Sequence, residues 1–142
     1  MLPIHPFIVH FPIAAWTIGS VFLAVAVVLK RERWEAPAWI LLGIGALGGV
    51  FAALTGQAEF QRLGETGHRV LSWHRNLGIA LPWLMVATVL AKAHFTFARK
   101  ARPLPAWIWC CLAAGIAVLV LYNGYLGGVL VYRLGLGNRQ IP

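Results

Sequence analysis

PAWIWCCLAAGIAVLVLYNGYL, residues 105–126, runs for twenty-two residues without one charged side chain. A helix needs about 20 apolar residues to cross the hydrocarbon core of a bilayer, and this stretch supplies them. Three more blocks read the same way. They run from about Pro6 to Leu29, Pro37 to Thr55 and Val70 to Ala91, beside the block from Pro105 to Leu126. The 142 residues are 60% hydrophobic and only 11% charged. A soluble domain carries about a quarter charged residues, so this surface is suited to lipid. The expectation is an all-α integral membrane protein: one domain, residues 1–142, folded as a four-helix bundle with both termini on the same side.

The net charge of +8 comes from twelve Lys and Arg against four Asp and Glu. The basic residues flank apolar blocks and form no basic face, so topology and anionic headgroups explain them and nucleic acid does not. Seven fall beside the first and third links: Lys30, Arg31, Arg33, Lys92, Arg99, Lys100 and Arg102. Five fall at the other end: Arg62, Arg69, Arg75, Arg133 and Arg139. The positive-inside rule then puts the first and third links in the cytoplasm and both termini in the periplasm of a bacterial inner membrane. Trp34, Trp39, Trp107 and Trp109 are expected at the inner interface, and Trp73 and Tyr132 at the outer one. The first block lacks a basic leader and is too long for a signal core, so it reads as a retained helix.

Glycines suggest how the helices meet. Gly45 and Gly49 are four apart, as are Gly124 and Gly128, and Gly43 and Gly48 lie among the first pair. Small residues at that spacing let backbones approach in lipid. Pro82 is expected to kink the third helix. Cys110 and Cys111 are adjacent, a poor arrangement for a disulfide, and no Cys-x-x-Cys exists.

The polar residues gather at one end. The first helix opens with His5-Pro6 and His10-Phe11-Pro12. The second ends in Thr55-Gly56-Gln57 with Glu59. The third is entered through His68 and His74-Arg75-Asn76, and the fourth closes on Asn123, Tyr125 and Tyr132-Arg133. His5 and His68 read as solvated, and His94 as an interfacial residue at the opposite end. His10 and His74 lie at or inside the apolar blocks, where an ionisable side chain calls for a partner.

One imidazole from each of two facing helices is how a bundle holds haem iron. On that reading His10 and His74 are the ligands of a haem b. Gly78, one turn after His74, admits the ring. Arg69, Arg75 or Arg133 pairs with the propionates. A Zn or Cu site built on His5, His10, His68 and His74 lacks a recognised spacing. A third reading needs no cofactor: the histidines tie helices together or dock a partner. Hydrolytic signatures are missing: no Gly-x-Ser-x-Gly, no His-Glu-x-x-His and no phosphate loop. A channel or transporter would need several copies of so short a chain, and no intramembrane charge ladder supports one.

Four motifs carry a family resemblance. They are His5-Pro6-Phe7-Ile8-Val9-His10-Phe11-Pro12-Ile13-Ala14, Thr55-Gly56-Gln57-Ala58-Glu59, His74-Arg75-Asn76-Leu77-Gly78, and the ending from Gly124 through Gly127-Gly128 and Tyr132-Arg133 to Gly135. The chain resembles, over nearly its whole length, the bacterial membrane family called domain of unknown function 2231. The resemblance implies a compact four-helix membrane domain, sometimes associated with redox partners. The family pattern often has a histidine where Leu134 stands, so any metal site on the final motif would lack that ligand. The functional expectation is haem binding and electron transfer at the periplasmic face, with a quinone or a periplasmic redox protein as partner. The rival is a non-catalytic subunit that anchors a larger complex or a homo-oligomer.

Overall fold

The computed structural model describes residues 4–63, 69–98 and 104–135, and among these every regular element is helical. His68, Arg99, Lys100, Arg102 and Arg139 lie outside the described residues. A short helix α1 (Ile4–Ile8) leads into α2 (His10–Val28). A 3-10 turn (Glu32–Trp34) precedes α3 (Glu35–Leu63), followed by α4 (Arg69–Phe97) and α5 (Ala106–Tyr132). Four helical segments are long and apolar enough to cross a membrane: His5–Val28, Glu32–Gln61, Arg69–Phe97 and Ala106–Tyr132.

These helices are longer than the apolar blocks suggest. Hydropathy stops where polar residues begin, but the backbone bonds do not. α3 continues through Thr55, Gly56, Gln57 and Glu59, and α5 continues through Gly127 and Gly128. The polar motifs therefore sit on helix faces rather than in loops.

The helices pack in a closed ring, α2 on α3, α3 on α4, α4 on α5 and α5 back on α2. At most a third of the most apolar window of each span is buried within the protein. Ile18, Val21, Ile44, Leu47, Phe51, Trp83, Leu90 and Val118 all face outward. Exposed apolar surface on this scale is a membrane-facing surface.

Helix α2 ends where Lys30 takes a left-handed conformation (φ 51°) and the Arg31 amide bonds the Ala26 carbonyl at 3.0 Å. That is the reversal with which helices commonly stop, here without the glycine that usually serves it.

The seam between α2 and α3 is built on small residues. A methyl on Gly45 would lie 3.0 Å from the Trp16 amide nitrogen, and one on Gly19 would lie 3.1 Å from the Ala38 carbonyl oxygen. Gly49 turns the other way, toward Pro82 and Met85 of α4. The pair four residues apart thus serves two different neighbours. Gly124 meets the Ile13 side chain, whereas among the described residues nothing lies within 4 Å of the side-chain position at Gly128. The expected packing role of Gly128 is therefore corrected: the position opens outward. Helix α4 continues through Pro82, whose ring takes the space that Gly49 leaves.

Trp16 is fully buried at the centre. Its indole N–H donates to the Ala113 carbonyl at 3.1 Å, and the Ser20 hydroxyl lies 3.1 Å from the same oxygen. These contacts tie α2 to α5, the single Ser20 proton being shared with the Trp16 carbonyl at 2.8 Å. Trp16→Phe removes one of them and part of the core volume. We expect a loss of about 1–2 kcal/mol, read as a lower melting temperature in detergent.

At the end of the bundle opposite His74, Lys92 pairs with Glu35 at 3.0 Å and lies over the Trp39 ring. Trp39 meets Trp109 edge-on, with centroids 5.9 Å apart. Trp109 is 3% exposed. It belongs to the core, not to the interface where its sequence position suggested it, because it faces Trp39 and Phe95 across the bundle. Trp107 on the same helix faces outward, as do Trp73 and Tyr132 at the other end.

Candidate functional site

Helices α1 and α4 bring two histidines to one end of the bundle. The His5 Nδ1 lies 3.0 Å from the Thr55 hydroxyl on α3. The Thr55 hydroxyl is itself 3.0 Å from the Ala52 carbonyl and 3.2 Å from that of Phe51. A hydroxyl that spends its single proton on the backbone can only accept from a ring nitrogen. In that arrangement the His5 Nδ1 is the donor to Thr55.

His74 follows the same rule more directly. Its Nδ1 lies 3.1 Å from the backbone carbonyl of Asn123 on α5. A carbonyl can only accept, so Nδ1 is the protonated nitrogen, and the Asn123 side chain also bonds this ring. The two rings lie within electrostatic reach of each other, and Glu59 lies within reach of His5.

Glycines shape both seats. A methyl on Gly56 would stand 2.8 Å from the His5 Cε1, and one on Gly127 would stand 3.2 Å from the His74 Cε1. The imidazoles occupy those spaces. Gly78, expected to admit a flat ring, is bordered instead by the Asn123 amide, whose Nδ2 would lie 3.5 Å from a methyl there. The space beside Gly78 is taken up by this amide.

His10 stands apart. It is exposed, and its Nδ1 bonds the Pro6 carbonyl one turn earlier in the chain. Helical spacing explains the choice between His5 and His10. Five residues turn a helix by about 140°, so the two cannot share a face. The buried positions that follow are Pro12, Trp16 and Gly19. His5 precedes Pro12 by seven residues, which is close to two full turns, and so extends the buried face. The expectation that His5 is merely solvated is corrected: it is half-buried and bonded. Counting from the buried face would have found it.

The arginines differ. Arg75 is half-buried with its guanidinium over the Phe60 ring, 4.4 Å from the centroid. Arg69 and Arg133 are exposed at the same end. His94 is exposed at the far end, beside Phe95. Cys110 and Cys111 carry free thiols. Two polar atoms near this end are buried without a hydrogen-bond partner among the described residues, Gln57 Oε1 and Arg75 Nε, whereas the Asn123 side chain bonds the His74 ring.

The arrangement offers two imidazoles, each with its Nδ1 set against a protein oxygen. Among the described residues, no group of three or more His, Cys, Asp or Glu is placed to hold a metal ion.

A family model described as "Predicted membrane protein (DUF2231)" matches residues 1–140 of the chain. No curated protein and no solved structure matches it.

Proposed function

The chain belongs to the DUF2231 family of predicted membrane proteins, and from that premise we propose that it is a multi-pass redox protein of the bacterial inner membrane, holding haem b between His5 and His74. One observation carries the reading. Each imidazole sets its Nδ1 against a protein oxygen, the Thr55 hydroxyl or the Asn123 carbonyl, and with the proton there Nε2 carries the lone pair. Fixing the tautomer in this way is what metal-binding histidines require of their surroundings. Haem suits a two-histidine set because the porphyrin supplies the remaining nitrogens, whereas a zinc ion takes three or four ligands from protein.

Bound haem supplies one-electron exchange. The protein's share is alignment and charge. Thr55 and the Asn123 carbonyl orient the imidazoles, and Arg75, Arg69 and Arg133 offer positive charge at the same end for propionates. Electrons would pass there to or from a quinone or a periplasmic redox protein. The donor set fits the group, but Gly78 takes no part in seating it, since Asn123 borders that position.

The second reading, a scaffold without cofactor, has its own support. The same two hydrogen bonds join α1 to α3 and α4 to α5, which is a sufficient structural task for buried histidines. The visible spectrum and metal content of the purified protein, expressed with ample haem, decide between them. A Soret band supports the haem reading. No Soret band and an empty metal analysis leave the scaffold.

Orientation follows from the charge asymmetry, which favours the periplasm for both termini. Periplasm-dependent reporter fusions at the C-terminus should be active and cytoplasm-dependent ones silent. The reverse would mean an inverted bundle.

A further inference from the structure

The link between α2 and α3 holds three cations in four residues, Lys30, Arg31 and Arg33, and all three side chains are exposed. Among the described residues none of them is in an ion pair. The carboxylate that follows, Glu35, turns instead to Lys92 of α4, 3.0 Å away. Glu32 is the one carboxylate left among them.

Lys30 holds a left-handed backbone, with φ 51°. A side chain there crowds the following carbonyl, which is why glycine usually serves this position at the end of a helix. A strained residue kept where glycine would do points to a use for its side chain. The attraction of a helix C-terminus for a cation is not that use, because Arg31 supplies it from the next position at an ordinary φ of −106°.

Arg33 is positioned by its neighbours. Its guanidinium lies over the Trp34 ring, 5.8 Å from the centroid, and Trp34 meets Phe22 of α2 edge-on at 4.7 Å. Trp34 is half-buried, so these contacts run from the flank of α2 to the exposed link. A cation held by the face of a ring keeps its N–H donors for an anion. Immediately before the cations, Val28 and Leu29 are exposed and apolar, on the surface that borders lipid. The ligand that suits both halves is an anion with apolar chains attached. Arginine and lysine donors at this density match a phosphate.

We propose that Lys30, Arg31 and Arg33 bind the headgroup phosphate of an anionic phospholipid, whose acyl chains lie along Val28 and Leu29 of α2. A zwitterionic lipid carries the same phosphate, but its ammonium brings a like charge toward three cations, so the site discriminates against it. The site is independent of the haem reading, whose residues lie at the opposite end of the bundle.

The test titrates the full chain in detergent with dioleoylphosphatidylglycerol or dioleoylphosphatidylcholine and counts bound lipids by native mass spectrometry. The first phosphatidylglycerol should bind about tenfold more tightly than the first phosphatidylcholine. Arg31→Gln and Arg33→Gln should each weaken phosphatidylglycerol about fivefold, the loss of one cation near a charged headgroup, and leave phosphatidylcholine unchanged. Arg133→Gln removes a cation at the far end and should leave both unchanged. Lys30→Gly should weaken phosphatidylglycerol as the arginine variants do. Its melting temperature in lipid-free detergent should hold or rise, because glycine relieves the strain, so a binding loss is not unfolding.

Equal affinity of wild type for the two lipids overturns the proposal and leaves the cations only their part in orienting the helices. Phosphatidylglycerol binding unchanged in all three link variants overturns it too. Displacement of the bound lipid by inorganic phosphate at constant ionic strength would make the ligand a free anion and would sink the lipid assignment.

Discussion

Haem-loaded wild type should show a Soret band, and His74→Ala should abolish it. That is the expected result, and His5→Ala should match it, with haem content down at least tenfold in each. The argument is coordination chemistry. His74 presents its Nε2 because the Asn123 carbonyl holds Nδ1, and no other described histidine is tied to that position. On the proposed reading His5 presents its Nε2, with Nδ1 set against Thr55. Removing either leaves a single imidazole. Thr55→Val tests the alignment alone: the ligand remains, but its second-shell partner is gone, which typically costs 10–100-fold in affinity. Gly56→Ala tests position, since the new methyl displaces the His5 ring from its seat while the helix around it stays formed. His10→Ala is the control that separates the structure from the sequence pattern, because His10 bonds only its own turn and faces outward. A loss of haem in His10→Ala with retention in His5→Ala would sink the assignment of His5.

The second large effect concerns the bundle itself. Gly45→Leu should unfold it or lower its melting temperature sharply, at a cost of about 3 kcal/mol or more. The first atom of the new side chain would stand 3.0 Å from the Trp16 nitrogen and 3.3 Å from its Cα, and backbone does not give way as a flexible side chain does. The only relief is to push α2 and α3 apart, which forfeits contacts that no hydrophobic drive restores in lipid. Gly128→Leu, at the same kind of motif in α5, should change melting by less than about 0.5 kcal/mol, because its side-chain position is open. Equal effects of the two substitutions in thermal melts would show that the open face at Gly128 is covered.

The four spans were legible in the sequence because uninterrupted apolar length is a direct requirement of the bilayer. Faces were less legible. In a lipid-bound bundle the outward surface is as apolar as the core, so periodicity fades. Ile44 faces outward and Leu42 is buried, yet the two read alike. For the same reason the spacing of Gly45 and Gly49 announced close packing but not that the two glycines serve different helices. The polar end was found from its residue types, which hydrocarbon tolerates poorly. Burial was not: His10 stands at the depth of the apolar block yet is exposed, whereas the angle around the helix half-buries His5. Gln57 and Asn123 stood in the motifs without a role, because a carboxamide announces nothing until its partners, or their absence, are seen.

The hydrogen bond from Trp16 to Ala113 spans 97 residues of chain. It belongs to the seam that closes the ring, and that seam has a bearing on assembly. A chain leaving the ribosome at roughly 5–20 residues per second inserts α2, α3 and α4 before α5 exists. During those seconds the Trp16 indole N–H has no acceptor on a neighbouring helix, and the flank of α2 that α5 will cover faces lipid alone. Contacts so distant in sequence form late and slowly. The last helix is thus the bolt of the assembly. A chain truncated before Ala106 should insert yet stay an open sheet of three helices, sensitive to protease until α5 is supplied as a separate piece.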